Sequence, residues 1–373
     1  MSKNGKILLA MSGGIDSSIA SLLLHDMGYE VVGITMKTWD YQSSSSSKKE
    51  TGCCTLESIN DARNIAVKMG FNHYILDIRD EFGDYVIDYF TDEYMKGRTP
   101  NPCILCNTHI KWEALLKRAN KLDCEFIATG HYANVRNENN RYIISKGVDE
   151  LKDQSYALWG INQKNLSRTI FPLGKLEKKE IKNIALKNGY KNLVEKSESY
   201  EICFVPDDDY RNFLRNRVKN LDKIVGEGVF LNENGKVIGK HKGYPYYTIG
   251  QRKGLGLALG YPVYVTEIRK DTNEVIIGSF DDLKRNGMYV KKINMMKYDK
   301  IKGKLNAETK IRYNDKGTPS IIEKIDKTIK VYFGNKVNAI TPGQAAVFYE
   351  KDDIIGGGWI HSSFKQHELI NHE

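Results

Sequence analysis

The sequence predicts an α/β protein in which a doubly wound parallel-sheet domain is followed by a small central domain and a C-terminal β-barrel. Three observations favour this fold class. Apolar strand-like runs alternate with helix-like runs over roughly the first 130 residues. Glycine and tyrosine become frequent after about residue 205, and polar and apolar residues alternate from about residue 285. We therefore expect domains at 1–209, 210–284 and 285–373.

The elements of the first domain follow in order along the chain. KILLAM, residues 6–11, predicts the first strand, and the apolar residues after it keep helical spacing until Gly28. YEVVGITM predicts the second strand, and the helical stripe that follows it ends at Gly70. The series continues with the strand HYILDI, a helix over 81–96, a helix after NPCILCN and the strand EFIATGH.

Strict alternation predicts the strands of the last domain. Ile329, Val331 and Phe333 are separated by Lys330 and Tyr332, which is the pattern of a strand with one buried face. The segment AAVFYEKDDIIGGGWI predicts a hairpin. Closing short strands of this kind into a barrel is the most economical arrangement.

Charge and apolar composition restrict the class of protein. Lysine plus arginine total 56 and aspartate plus glutamate 47, a net charge of +9, which suits a polyanionic partner. The cationic runs 211–219 and 291–304 are interpreted as solvated faces or as phosphate-binding surface. No apolar stretch is long enough for a membrane span, and the N-terminal one is too short for a signal peptide. We therefore expect a cytoplasmic location and no membrane partner.

The six cysteines are Cys53, Cys54, Cys103, Cys106, Cys124 and Cys203. In a cytoplasmic chain of this length they do not indicate a disulfide framework, which leaves catalysis, metal binding or burial. Cys124, beside a strand-like run, is interpreted as a small buried hydrophobe. The low-complexity serine run at 43–47 is interpreted as a slack loop or a lid.

SGGIDS, residues 12–17, joins the first strand to the first helix. A glycine turn at a helix N-terminus exposes backbone N–H groups and the positive end of the helix dipole, so it predicts an anion site, with phosphate as the natural occupant. The spacing is neither that of the Walker A loop nor that of the dinucleotide fingerprint. Gly13 and Gly14 would admit the phosphates, Ser12 and Ser17 would donate hydrogen bonds, and Asp16 would hold a metal ion or orient the turn. A serine-rich helix cap is the alternative interpretation.

This stretch resembles the PP-loop of the ATP pyrophosphatases, which cleave ATP between the α and β phosphates and adenylate a substrate. The resemblance implies a PP-loop (adenine nucleotide alpha hydrolase-like) domain that binds ATP, with Mg²⁺ served by Asp16. Asparagine, GMP and NAD synthetases share the loop, as do RNA-modifying enzymes, so the loop alone does not identify the substrate that is adenylated. The implied ATP site consists of Ala10, Met11, Ser12, Gly13, Gly14, Ile15, Asp16, Ser17, Met36 and Gly130.

Further sequence motifs, which occur in order over almost the whole chain, resemble those of the bacterial tRNA-specific 2-thiouridylase family. They are NPCILCN with HIKW, ATGHY, KDQSY, ICF, YTIGQRKGLG, IRY and TPGQAAVFY. The resemblance implies a transferase, a tRNA-uridine 2-sulfurtransferase, that uses ATP to adenylate C2 of the wobble uridine (U34) in lysine, glutamate and glutamine tRNAs. Sulfur then replaces the activated oxygen and 2-thiouridine is formed.

The resemblance also implies roles for individual residues. Cys203 would carry a persulfide received from a sulfur-relay protein or a cysteine desulfurase. Cys106 would be the nucleophile that frees the sulfur, leaving a Cys106–Cys203 disulfide. The target base must leave its stack, which an anticodon loop makes inexpensive. Contacts to the target base are implied for Asn101, Pro102 and Cys103, and contacts to the tRNA for His131, Lys152, Asp153, Gln154, Arg312, Tyr313 and Gln344.

Position 103 departs from the family pattern, because familiar members often have an aspartate there. Cys103 and Cys106 form a Cys-X-X-Cys motif, and with Cys203 they supply three thiolates that could ligate a [4Fe–4S] cluster delivering sulfide. The alternative is that Cys103 is a tolerated neighbour and the persulfide relay is unchanged. Outside sulfur transfer, an amidoligase related to GMP or NAD synthetase and a non-catalytic RNA-binding module stay open.

Overall fold

The structure, a computed structural model, describes residues 2–39, 55–196, 202–205 and 207–365. The chain forms two compact units. Unit 1 consists of residues Met1–Val86, Cys103–Asp208 and Asp352–Ile354, and unit 2 of Ile87–Pro102, Asp209–Lys351 and Ile355–Glu373. Within the described residues, every helix is too short or too polar to cross a membrane.

The helices are, in chain order, α1 (Ile15–Asp26), α2 (Leu56–Met69), α3 (Arg79–Phe82), α4 (Asp88–Met95), α5 (Pro102–Leu105), α6 (Trp112–Lys121), α7 (Gln163–Leu166), α8 (Lys178–Lys187), α9 (Lys191–Glu195), α10 (Tyr210–Arg217) and α11 (Leu221–Val225). Among the described residues, π-helical turns span Gly83–Ile87 and Cys106–Lys111, and short 3₁₀ turns span Ser155–Leu158, Tyr244–Tyr246 and Asp281–Leu283.

The strands are β1 (Lys6–Ala10), β2 (Glu30–Lys37), β3 (His73–Asp77), β4 (Phe126–Thr129), β5 (Ala133–Glu138), β6 (Arg141–Lys146), β7 (Thr169–Ile170), β8 (Gly228–Asn232), β9 (Val237–His241), β10 (Tyr264–Arg269), β11 (Glu274–Gly278), β12 (Lys284–Met295), β13 (Lys304–Lys310), β14 (Thr318–Ile325), β15 (Thr328–Asn338), β16 (Ala345–Glu350) and β17 (Asp353–Phe364).

Unit 1 is built on a five-stranded parallel sheet in the order β3-β2-β1-β4-β7. Leu8 pairs with Val32 on one side and with Ile127 on the other, so β1 is the central strand. Apolar residues of β1, α1 and α8 form one core beside this sheet. The predicted doubly wound α/β domain is confirmed. Because the strand order reverses between β1 and β4, a crevice opens at the carboxyl ends of these two strands.

The helix ends of this sheet domain follow the predicted signals. α1 ends at Asp26, just before Gly28 with its φ of +83°. The α2 cap is Gly70 in the left-handed conformation, where glycine avoids the clash that other residues suffer. At the other end of α2, the Thr55 hydroxyl accepts a hydrogen bond from the Ser58 backbone N–H.

Two helix predictions need correction. The helix expected over 81–96 consists of α3, a π-helical turn and α4, with Gly83 at the first junction. The helix expected after NPCILCN begins inside that motif, at Pro102. Proline fits the first turn of a helix because its missing N–H has no intrahelical partner there. Cys103 and Cys106 are therefore helical residues, not residues of a polar turn.

An antiparallel hairpin, β5–β6, was not predicted. Its turn residues Asn139 and Asn140 both have positive φ, 53° and 60°. The hairpin contributes Arg136, which donates to both carboxylate oxygens of Asp353 at 2.7 and 2.8 Å. Ser145 donates to the same carboxylate at 2.8 Å. Asp353 belongs to unit 1 although it lies near the C-terminus.

Unit 2 contains two β assemblies. The smaller is a four-stranded sheet in the order β10-β11-β8-β9, packed around Phe230, Val265 and Val275. The larger is a six-stranded barrel in the order β12-β15-β14-β13-β16-β17, closed by pairing of β12 with β17. Ile329 and Val331 are fully buried in its core, as their alternation predicts. The predicted barrel and the hairpin β16–β17 are confirmed.

Candidate active site

The glycine loop lies at the crevice between β1 and β4. Gly13 has a φ of +71°, and a Cβ at this position would run into the backbone carbonyl of Ser58. Gly14 is the N-cap of α1 in an extended conformation. Across the crevice, a Cβ on Gly130 would lie 3.1 Å from the backbone nitrogen of Ser17. The loops after β1 and β4 therefore meet closely, and glycine permits this approach.

Hydroxyl groups brace the loop from inside. The buried Ser17 hydroxyl donates to the carbonyl of Gly14 at 3.1 Å and accepts from the backbone N–H of Ser12 at 3.2 Å. Ser18 donates to the same carbonyl at 2.9 Å. Because the Ser17 proton is directed to the backbone, the exposed Ser12 is the better placed of the two predicted hydroxyl donors.

The other predicted nucleotide residues divide into core and rim. The Met11 and Ile15 side chains are buried in the core of unit 1, so only their backbone groups are available to a ligand. Ala10 ends β1, and its pairing partner in β2 is Ile34. Met36 lies two residues further along β2, is partly exposed, and belongs to the same carboxyl edge of the sheet as the glycine loop.

Asp16 is held by two residues that sequence reasoning missed. Lys178 Nζ lies 2.7 Å from its Oδ1 and 2.9 Å from its Oδ2. The Tyr132 hydroxyl donates to Oδ1 at 2.6 Å. Tyr132 is held in turn by Gln154, whose side-chain oxygen accepts from its backbone N–H at 3.0 Å. No local spacing signals these links, since 162 positions separate Asp16 from Lys178.

His131 is a neutral group beside this network. Its Nδ1 lies 2.7 Å from the Thr129 hydroxyl, and its ring lies 5.8 Å from the Trp112 ring. Burial, together with the positive charge of Lys111, lowers the pKa of His131 to about 3. At neutral pH the imidazole can exchange hydrogen bonds with a ligand, but it cannot form an ion pair with phosphate.

The predicted tRNA-contact segment 152–154 is turned partly inwards. Asp153 is buried, and its Oδ1 accepts from the backbone N–H groups of Gly147 and Ser155, both at 3.1 Å. Gln154 is bonded to Tyr132. Lys152 is partly exposed. The Asp153 and Gln154 side chains therefore accept hydrogen bonds from backbone groups of the protein.

The described cysteines differ in environment. Cys103 is exposed, Cys106 is buried and Cys203 is intermediate. Crowding by protein raises the pKa of the Cys103 thiol, an effect that Lys111 opposes. Cys124 is buried, as predicted. Cys53, Cys54 and the serine run at 43–47 lie outside the described residues.

The structure gives the segment around Cys203 a defined anchor within unit 1. Phe204, which is 1% exposed, packs edge-on against Phe82 with ring centroids 5.7 Å apart. Phe82 belongs to α3, which lies against the π-helical turn Cys106–Lys111. The Cys203 segment is therefore fixed to an element that neighbours the Cys106 turn.

In unit 2 the structure brings Gln344 to the segment that carries Asn101 and Pro102. The Gln344 side-chain nitrogen donates to the carbonyls of Thr99, at 3.3 Å, and Pro100, at 2.9 Å. Arg312 and Tyr313 are exposed in the turn after β13, with 45% of Tyr313 accessible.

The basic run 211–219 is largely engaged within unit 2. Arg217 pairs with Asp88 at 2.6 Å, and Arg215 pairs with Asp222 at 3.5 Å. Cations paired in this way are less available to an external phosphate, so the first run agrees better with a structural face.

Comparison with known proteins gives matches over the whole chain. Family models match residues 5–207 as a "tRNA methyl transferase HUP domain", 211–279 as a "tRNA methyl transferase PRC-barrel domain" and 285–360 as an "Aminomethyltransferase beta-barrel domain". A relative from Amoebophilus asiaticus named tRNA-specific 2-thiouridylase MnmA is 66% identical over 365 residues, covering 98% of this chain and 97% of its own. The chain belongs to the 2-thiouridylase family.

Two further relatives of the same name agree with this assignment. The Cytophaga hutchinsonii protein is 64% identical over 98% of this chain and 100% of its own. The Salinibacter ruber protein is 55% identical over 97% of this chain and 95% of its own. The expected 2-thiouridylase resemblance is confirmed, and the layout of the 2-thiouridylase family, a sheet domain, a central domain and a barrel, agrees with the observed fold.

Proposed function

We propose that the protein transfers sulfur, with consumption of ATP, to C2 of the wobble uridine of lysine, glutamate and glutamine tRNAs. Membership of the family makes it an enzyme of tRNA thiolation. The observation that best supports the detailed proposal is that unit 1 carries both a glycine loop at its sheet crevice and the pair Cys106 and Cys203. A phosphate-binding loop and a sulfur nucleophile are the two components that such a reaction requires.

ATP first activates the uracil. The O2 oxygen of the uracil attacks the α-phosphorus of ATP and forms an oxygen–phosphorus bond. The bond between the α-phosphorus and the oxygen that bridges to the β-phosphate breaks, and pyrophosphate leaves with its electron pair. The loop 12–17 suits the polyphosphate because it leads into the N-terminus of α1, where the first backbone N–H groups lack an intrahelical acceptor. The helix dipole of α1 and the Ser12 hydroxyl would stabilise the charge on the departing pyrophosphate.

The described residues do not fit a resident magnesium ion. The Asp16 carboxylate already receives hydrogen bonds from Lys178 and Tyr132. No group of three or more His, Cys, Asp or Glu side chains in the described part of the chain is arranged to hold a metal ion. Mg²⁺ is usually held by one or two carboxylates together with substrate phosphates, so it would enter this site with the nucleotide.

Sulfur is transferred next. The terminal sulfur of a persulfide on Cys203 attacks C2, a carbon–sulfur bond forms, and AMP leaves with the former O2. The Cys106 thiolate then attacks the Cys203 sulfur, so the bond to the thiouridine sulfur breaks and a Cys106–Cys203 disulfide forms. An external thiol reductant restores both thiols, and a sulfur-relay protein or cysteine desulfurase reloads Cys203. The anchoring of Phe204 on α3 supports an encounter of the two cysteines.

The cluster alternative has less support. Cys103 is exposed whereas Cys106 is buried, although both lie on one short helical stretch. A [4Fe–4S] cluster would need both sulfurs and Cys203 directed at one point. An amidoligase reaction is also less well supported, because the full-length relatives are named for thiolation and because it gives no role to Cys106.

The test is sulfur transfer by the full-length protein with ATP, a persulfide donor and each tRNA, followed by nucleoside mass spectrometry. Cys106→Ser and Cys203→Ser should abolish 2-thiouridine formation, and Cys103→Ser should retain it. Cys124→Ser is the matched control, since it removes a thiol buried elsewhere in unit 1. Absence of 2-thiouridine with the unmodified protein would refute the proposal. Loss in Cys103→Ser, with iron in anaerobically purified protein, would favour the cluster.

A further inference from the structure

Lys178 is a buried lysine whose ammonium group lies at the glycine loop. It is the first residue of α8 and is only 8% exposed. Its Nζ contacts both carboxylate oxygens of Asp16, at 2.7 and 2.9 Å, and Tyr132 donates to one of them. A cation and a hydroxyl therefore converge on the single carboxylate that the loop 12–17 contains.

The backbone fixes Lys178 from its other end. Its N–H donates to Asp149 Oδ2 at 2.9 Å. The preceding N–H, that of Glu177, donates to the Glu180 side chain at 2.8 Å, which secures the first turn of α8. α8 also packs against α1, the helix that carries Asp16. The position of the ammonium is thus set by two helices and not by a flexible side chain alone.

Stability by itself does not account for this ion pair. Removing an ammonium from water costs free energy that one ion pair rarely exceeds, and apolar replacements of buried pairs are often neutral or stabilising. The Asp16 side chain, however, is 33% exposed, whereas the Lys178 side chain is 10% exposed. The pair therefore lies at the border between the interior of unit 1 and the solvent from which a ligand enters.

An unpaired Asp16 carboxylate would oppose the attraction of the loop for anions. The first N–H groups of α1 and its dipole attract anions. A carboxylate in the same turn repels them, and this repulsion is strong where water is partly excluded. Lys178 cancels the carboxylate charge and leaves the N–H groups of the loop free to attract the ligand.

We propose that Lys178 is a positioning residue of the nucleotide site, which neutralises Asp16 and so allows the loop 12–17 to accept the polyphosphate of ATP. The inference rests on the proposed function, because it takes ATP to be the ligand of the loop. Tyr132 holds the carboxylate in the orientation that Lys178 pairs with. Lys178 acts through Asp16 in this account and does not need to touch phosphate.

The test is the affinity of the full-length protein for ATP in EDTA, measured by equilibrium dialysis, so that no metal ion contributes. Lys178→Met should weaken binding by at least about tenfold, as expected when a charge is left unpaired at a binding site. Lys179→Met is the matched control, because its side chain is exposed on the same turn, and it should bind as the unmodified protein does. The double variant Asp16→Asn, Lys178→Met has no carboxylate to neutralise and should regain affinity.

Unchanged affinity in Lys178→Met would overturn the proposal. A double variant as weak as Lys178→Met would overturn it too, because Lys178 would then act on phosphate directly. Should Lys178→Met fail to fold, Asp16→Asn alone decides: it keeps the ammonium and removes the carboxylate, so it should tighten metal-free ATP binding, and weaker binding would contradict the proposal. If the unmodified protein binds no ATP either in EDTA or with Mg²⁺, the proposed function itself fails.

Discussion

The backbone carbonyl of Ser58 fills the space that a Cβ on Gly13 would need. Gly13 is also left-handed, a conformation that costs other residues about 1–2 kcal/mol. Gly13→Ala should therefore destabilise unit 1 by at least about 2 kcal/mol in chemical denaturation and abolish ATP binding.

Gly14→Ala is the matched control for that substitution. Gly14 has an ordinary φ of −88°, and the nearest atom to its Cβ would be Ser12 Oγ at 3.5 Å. The cost should stay below about 1 kcal/mol, that of an altered N-cap. Equal loss of stability in the two variants would contradict the argument from space.

Gln344→Leu should loosen the segment that carries Asn101. Two backbone carbonyls, those of Thr99 and Pro100, lose their side-chain donor, at a cost of about 1 kcal/mol. We expect faster hydrogen exchange over the 96–101 region and a raised KM for tRNA, with unchanged ATP affinity. Gln344→Asn, whose side chain is one methylene shorter, should show the same defect; normal exchange in both variants would argue against this link.

His131→Gln should change the pH dependence of stability. Burial lowers the pKa of His131 to about 3 in the folded protein, whereas the pKa of this histidine is near 6.5 in the unfolded chain. Between these two pH values the unfolded chain therefore binds a proton that the folded protein does not bind. This group therefore has no effect above pH 6.5 and destabilises the fold as the pH falls from there towards 3. The slope is at most about 1.4 kcal/mol per pH unit.

Chemical denaturation at pH 7 and pH 5 measures this contribution. The unmodified protein should lose more stability than His131→Gln between the two values. Thr129→Val removes the hydroxyl near Nδ1 but keeps the buried imidazole, so it should retain the steeper loss. Parallel pH profiles for His131→Gln and the unmodified protein would mean that the imidazole is protonated as readily when folded.

Phe204→Ala should release the Cys203 segment from α3. Removing a buried phenylalanine costs about 3–5 kcal/mol in a packed site. Disulfide formation between Cys106 and Cys203 under mild oxidant, followed by mass spectrometry, should slow, and thiolation should fall while ATP affinity is kept. Phe204→Leu should be much milder, and a normal rate of disulfide formation in Phe204→Ala would show that Phe82 does not position Cys203.

The periodicity of apolar residues and the residues typical of turns are sufficient to predict much of the fold. Gly28 and Gly70 mark helix ends because helices often stop where a left-handed residue follows. The alternation around Val331 predicts a barrel strand since one face of that strand is buried. The glycine loop could be located because strand, glycine turn and helix are adjacent in sequence.

What could not be predicted depends on distant or competing interactions. The pairing of Asp16 with Lys178 joins helices far apart in the chain, so no local pattern encodes it. The family resemblance implies Asp153 as a tRNA contact, but no local pattern predicts that its carboxylate accepts hydrogen bonds from the backbone and side chain of Ser155. The helix start at Pro102 is not predicted because a proline in a polar segment is equally typical of a turn and of a first helical turn.

The bidentate contact of Arg136 with Asp353 affects the order in which the protein can be completed during synthesis. When the ribosome has released only the first 350 residues, the guanidinium has Glu138 as its ion-pair partner and Ser145 lacks its acceptor. Unit 1 is thus completed only after the segment Asp352–Ile354 has been synthesised. A premature stop codon before Asp353 would consequently deprive unit 1, and not the barrel alone, of this contact.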